Sequence, residues 1–137
     1  MFCYQCEQTA KGTGCTSFGV CGKDPDTATL QDLLVYLAKG VSQYAHRAAE
    51  LEKSDREINV FVVQALFTTV TNVNFDSANI AEKIKTGVNI REKAKKLYED
   101  SCKAKGKTPE VLSGPATFKM SLNQNEMVKL GESVGVE

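Results

Sequence analysis

Four of the five cysteines in this 137-residue chain lie within its first 21 positions, as Cys3-x2-Cys6-x8-Cys15-x5-Cys21. Four thiols so crowded, in a chain with one histidine, constrain the N-terminal segment more than any other feature. Thiolates are soft, strongly donating ligands, and four of them suit a tetrahedral zinc ion or an iron–sulfur cluster. The two residues between Cys3 and Cys6 let both sulfurs turn toward one centre. Cys15 and Cys21 return to it from a stretch holding Gly12, Gly14, Gly19 and Gly22, whose backbone can adopt positive φ and approach closely. Phe2, Tyr4, Phe18 and Val20 interleave with the cysteines, and apolar neighbours keep water off such a centre.

Three chemistries compete for these thiols. Structural zinc sites often use two CxxC pairs, but here only one pair has that spacing, and Cys21 follows Cys15 by six positions. A Cys3His zinc pattern would want a histidine near position 25, where Pro25 stands. Disulfides belong to oxidising compartments. No basic leader or long apolar run precedes the cysteines, so a cytoplasmic location is expected. The pattern favours an iron–sulfur centre and leaves zinc and disulfides open.

The remainder reads as helix. Leu30, Leu33, Leu34, Leu37, Val41, Tyr44, Ala45 and Ala48 recur at three- and four-residue spacing and predict a helix from about Thr29 to Glu52. Ser54 with Glu57 forms a capping-box pattern for a second helix, from about Asp55 to Asn72. Its inner face is expected to carry Ile58, Phe61, Val62, Ala65, Leu66 and Thr69. Asp76 is the expected cap of a third helix reaching about Lys103, with Ile80, Ile84, Val88, Arg91, Ala94, Tyr98 and Cys102 on its stripe. Gly87 inside that helix costs about 1 kcal/mol relative to Ala. Gly106 to Thr117 is predicted to be a loop, and Asn123 to about Glu132 a short last helix. The expected fold is all-α: an antiparallel bundle of three to four helices over residues 29–137, with an irregular cysteine-rich, cluster-binding loop over residues 1–28.

Several features point nowhere in particular. Formal net charge is zero, so no global field draws the chain to nucleic acid or an anionic membrane, and neither partner is expected. The apolar stretch Val60 to Leu66 is too short to span a bilayer. His46 reads as an ordinary helix residue, and Cys102 as a buried, inert thiol on an apolar stripe. The basic residues Arg91, Lys93, Lys95, Lys96, Lys103, Lys105 and Lys107 read as a solvated face; docking of an acidic electron donor is the sharper alternative. Leu130, Val134 and Val136 are expected to close the bundle or to face an interface.

The opening Met1-Phe2-Cys3-Tyr4-Gln5-Cys6-Glu7-Gln8-Thr9-Ala10 and the stretch Thr13-Gly14-Cys15 through Gly19-Val20-Cys21-Gly22-Lys23 closely resemble the N-terminus of the hybrid cluster proteins, also called prismane proteins or hydroxylamine reductases. The resemblance continues through Leu30-Gln31-Asp32-Leu33-Leu34, Gln64-Ala65-Leu66-Phe67-Thr68-Thr69 and Thr71-Asn72-Val73-Asn74-Phe75-Asp76. In that family the short x2, x8, x5 spacing is associated with a cubane [4Fe–4S] cluster, and longer spacing with a [2Fe–2S] cluster. The resemblance therefore implies Cys3, Cys6, Cys15 and Cys21 as cluster ligands. It implies an electron-transfer role beside an iron–sulfur–oxygen hybrid cluster, where the family reduces hydroxylamine to ammonia and where nitric oxide reduction has been placed. The hybrid cluster is held by a set of Cys, His and Glu residues of later domains, and beyond the N-terminal motif this chain has a single cysteine, Cys102, and a single histidine, His46. The implied partners are an electron-donor protein and hybrid-cluster domains or a subunit carrying them. No catalytic residue is expected in this chain. The alternative is a zinc- or cluster-stabilised helical interaction module without a redox role.

Overall fold

A computed structural model describes residues 2–3, 5–7, 13–70 and 74–135. Tyr4, Gly12, Asn72 and Val136, all named above, lie outside the described residues. Four helices make up the fold: α1 (Pro25–Glu50), α2 (Arg56–Val70), α3 (Ser77–Ala104) and α4 (Gln124–Val134), with a 3-10 turn at Gly114–Ala116 before α4. No helix among the described residues is long and apolar enough to cross a membrane.

The first helix begins at Pro25, four residues before the expected Thr29. Asp24 is the reason: its carboxylate accepts from Thr27 N at 2.7 Å and from the Thr27 hydroxyl at 3.0 Å. Pro25 follows at the first helical position, where its missing N–H costs nothing and its φ is already helical. The second helix is capped by Asp55, not Ser54. The Asp55 Oδ1 accepts from Glu57 N at 2.9 Å and Ile58 N at 3.2 Å. The two remaining caps fall at Asp76 and Asn123, each accepting from two backbone N–H groups.

Helix α1 is the central element and packs against α2, α3, α4 and the 3-10 turn. Leu30, Leu33, Leu34, Leu37 and Val41 are fully buried in it. Leu37 lies opposite Gly87 of α3, and the Tyr44 ring is 6.3 Å from that of Tyr98. α1 and α3 therefore run in the same direction. Phe61 of α2 also meets Gly87, and Lys93 pairs with Asp55 at 3.0 Å and with Glu57, so α2 runs against α3. The path is up, down, up, as the short connections require. α4 closes one side through Met127, fully buried, while Leu130 and Val134 pack partly buried on the same core.

Two predicted features come out differently. Leu66 does not share the inner face of α2: it is 42% exposed. A helix with apolar residues on two sides gives its period little to report. Arg91 is no part of a solvated basic face. It is buried, and its Nη1 donates to the Pro115 carbonyl at 3.1 Å. The other basic residues are exposed, with Lys93 and Lys105 engaged in ion pairs toward Asp55, Glu57 and Glu52.

The Pro115 carbonyl also presses on α1. A Cβ on Gly40 would overlap that oxygen and come within 2.7 Å of its carbon. Gly40→Ala gains helix propensity of about 1 kcal/mol, but the obstacle is backbone and cannot swing aside. The variant is expected to be destabilised by about 1–3 kcal/mol, as for an overpacked interior, and to unfold at lower urea concentration. An unchanged or higher midpoint would mean that the Pro115 turn yields freely.

Candidate iron–sulfur centre

The cysteine segment is seated on the N-terminal end of α1. Phe2 and Cys15 pack on Ala28, with Cys3 against them, as a small apolar cluster separate from the main core. The backbones of residues 3 and 15 form an antiparallel bridge, with Phe2 N donating to Cys15 O at 2.9 Å and Cys15 N to Cys3 O at 2.6 Å. A tight turn follows: Gly22 N donates to Gly19 O at 2.9 Å, and Gly19 N to Lys23 O at 2.8 Å. Backbone geometry calls for glycine in this turn. Gly22 sits at φ 92°, and a Cβ on Gly19 would stand 2.8 Å from Lys23 O and 3.3 Å from Cys21 Sγ.

Side chains tie the two halves of the segment together. Lys23, two residues after Cys21, donates from Nζ to Gln5 Oε1 at 2.9 Å. Gln5, between Cys3 and Cys6, donates in turn to the Thr69 carbonyl near the end of α2. Lys23 is 1% exposed, and its ammonium lies 5.5 Å from the centre of the Phe75 ring. The ring face and the Gln5 carbonyl supply part of the compensation a buried cation needs. Gln31 of α1 donates to Asn74 O at 2.9 Å, fixing the start of the α3 connection nearby. A cavity of about 300 Å³ opens between these elements, with Phe2, Cys3, Gln5, Lys23, Leu66 and Val70 on its walls.

All four N-terminal cysteines are free thiols, so disulfides do not consume them. Cys15 is buried, Cys3 is half-buried, and Cys6 and Cys21 are exposed. Among the described residues no three His, Cys, Asp or Glu side chains converge on one point as a single ion would need. What the structure does bring together is the segments: residue 3 beside 15, and residue 5 beside 23. Four unpaired thiols on one folded segment, with turns that admit only glycine, fit the donor chemistry of an iron–sulfur centre. His46 is apart from all of this, exposed on α1 and 3.7 Å from Glu50. Cys102 is 2% exposed in the main core.

Sequence reasoning missed the work of Gln5, Lys23 and Gln31. A lysine after the last cysteine looks like any surface lysine. Only its apolar and aromatic surroundings in space mark it as buried.

A helical domain that seats a four-cysteine segment on the start of its central helix is the class defined by this fold and site. The chain belongs to the Prismane/CO dehydrogenase family, whose pattern it matches over residues 1–133. Its relatives include the hydroxylamine reductases of Methanocella arvoryzae, 51% identical over 137 residues, and Geobacter sulfurreducens, 46% identical over 138. That of Rhodospirillum rubrum is 45% identical over 136 residues. These matches cover 99–100% of this chain but only 24–25% of the relatives, so the chain spans about a quarter of their length. The matched part is their N-terminal portion.

Proposed function

We propose that this chain is the electron-carrying portion of a hydroxylamine reductase, with one [4Fe–4S] cluster held by Cys3, Cys6, Cys15 and Cys21. When bound, such a cluster supplies a reversible one-electron couple whose potential depends on hydrogen bonds, net charge and solvent exposure around it. The residues of this chain set those conditions. Phe2 and Ala28 cover Cys15 from water. The Lys23 ammonium places a positive charge beside the segment, which favours the more negative, reduced state. Gln5 and Thr69 hold the segment to α2.

Reduction of hydroxylamine takes two electrons and two protons, breaks the N–O bond and yields ammonia and water. That chemistry is assigned to a hybrid cluster outside this chain, and an electron-donor protein supplies the electrons. Beyond the N-terminal motif this chain has Cys102, enclosed in the core, and His46, exposed on α1, so it is not expected to turn over hydroxylamine alone. A reducing cytoplasm keeps the four thiols available. The observation that carries this reading is a four-thiol segment seated on the start of α1 through Cys3 and Cys15, in a chain nearly half identical to the N-terminal portion of hydroxylamine reductases.

The test is anaerobic purification with iron and acid-labile sulfide counting, and EPR before and after dithionite. About four irons and four sulfides per chain, with a signal on reduction, is the expected result for a cubane. One zinc without sulfide would overturn it in favour of a structural metal module.

A further inference from the structure

We propose that the outward face of α2 is the docking surface for the part of the reductase that the relatives carry beyond the quarter matched here. This rests on reading the chain as the cluster-bearing portion of such an enzyme. Val60, Val63, Leu66, Phe67 and Val70 are 41%, 66%, 42%, 59% and 68% exposed. Val60, Val63, Phe67 and Val70 follow at three- and four-residue steps, so they form one stripe along the helix, with Leu66 beside it. The opposite face carries Ile58, Phe61, Ala65, Thr68 and Thr69 into this domain. α2 is thus apolar on two sides and buried on one. A helix of that kind belongs between two bodies, and a contiguous exposed apolar stripe marks an interaction surface.

Two further observations choose the occupant. The relatives are about four times the length of this chain, so about three quarters of their polypeptide lies outside the matched region. The stripe also runs into the cysteine site: Leu66 and Val70 line the same cavity as Cys3 and Lys23. A body seated on α2 would cover that cavity and stand beside the thiols. Electron tunnelling falls steeply with distance, so an acceptor belongs on the surface nearest the donor. At the other end of α2 a hollow of about 350 Å³ is lined by Ser54, Arg56, Asn59, Val60, Val63 and Gln64, an apolar floor with a polar rim.

The test is hydroxyl-radical footprinting of Val63, Phe67 and Val70 in two settings. In the isolated chain these side chains are expected to react in keeping with their exposure, with the chain sedimenting as a monomer. In a chimera of the Methanocella arvoryzae reductase, with its matched N-terminal quarter replaced by this chain, reactivity is expected to fall at least about fivefold, as at an interface core that excludes water. Val60→Asp with Val63→Asp, both away from the cysteine cavity, in the chimera is expected to restore the reactivity of Phe67, while iron and sulfide in the isolated double variant stay unchanged. Unchanged reactivity in the chimera overturns the proposal. So does a dimer of the isolated chain that protects the stripe, because a second copy is then the occupant. If the chimera does not fold, the intact Methanocella reductase is footprinted over its segment aligned with α2, and free reactivity there overturns it as well. Failure of the cluster reading would show separately, as iron and sulfide missing from the isolated chain.

Discussion

Cys15→Ala is expected to strip the iron–sulfur chromophore from the protein and leave its helices folded. Cys15 lies at the centre of the proposed site, with its backbone bridged to Cys3 and its side chain packed on Ala28. The substitution removes one thiolate and leaves the backbone bridge intact. Disturbing even an outer partner of a metal site lowers affinity about 10–100-fold. Loss of a ligand should therefore lower iron and sulfide content by at least about tenfold, or leave a three-iron species. Because Cys15 belongs to the small cluster and not the main core, circular dichroism should show the helices retained. Cys102→Ala serves as the contrast: it sits in the main core, and its variant is expected to keep the chromophore. An unchanged four-iron spectrum in Cys15→Ala would sink the ligand assignment.

The largest effect on stability is expected at the crossing of α1, α2 and α3. Leu37 is fully buried there, and Leu37→Ala is expected to lower stability by about 2–5 kcal/mol, the usual range for a truncated core leucine. Against a total of about 5–15 kcal/mol for a domain, that is a large share. Gly87 faces the same spot, where a Cβ would come 2.5 Å from Phe61 Cζ and 2.6 Å from Leu37 Cδ2. Gly87→Ala alone should therefore destabilise, although Ala is the better helix former. In the Leu37→Ala background the Leu37 obstruction is gone while that of Phe61 stays, so the same change should cost less than it does in the wild type. Urea denaturation of the wild type, both single variants and the double variant closes the cycle. Strictly additive losses would show that Gly87 is not kept open by Leu37.

This pair shows what periodicity leaves out. In one dimension Gly87 is a weak point in a helix. In the fold it is where three helices come close enough that no side chain fits. Leu66 is the complementary case: its apolar character assigns it to the core, but α2 is apolar on two sides and only packing shows which side the domain uses. Arg91 and Lys23 look like surface residues by type, yet both are buried with hydrogen-bond partners from distant parts of the chain. Cap positions were legible to within a few residues. At α1 the stronger signal, Asp24 before Pro25, lay just upstream of the hydrophobic period.

The order and type of the elements, the four thiols and their spacing, and the family to which they belong were settled by residue identity and short-range pattern. Those are local properties: a 3.6-residue period, a capping carboxylate, and a ligand type whose chemistry does not depend on its neighbours. Burial of Lys23, the tie from Gln5 to Thr69, the close crossing at Gly87 and the exposed apolar face of α2 came only with the folded chain. Each joins residues far apart in sequence, and no local pattern records which surfaces will meet once the backbone has turned.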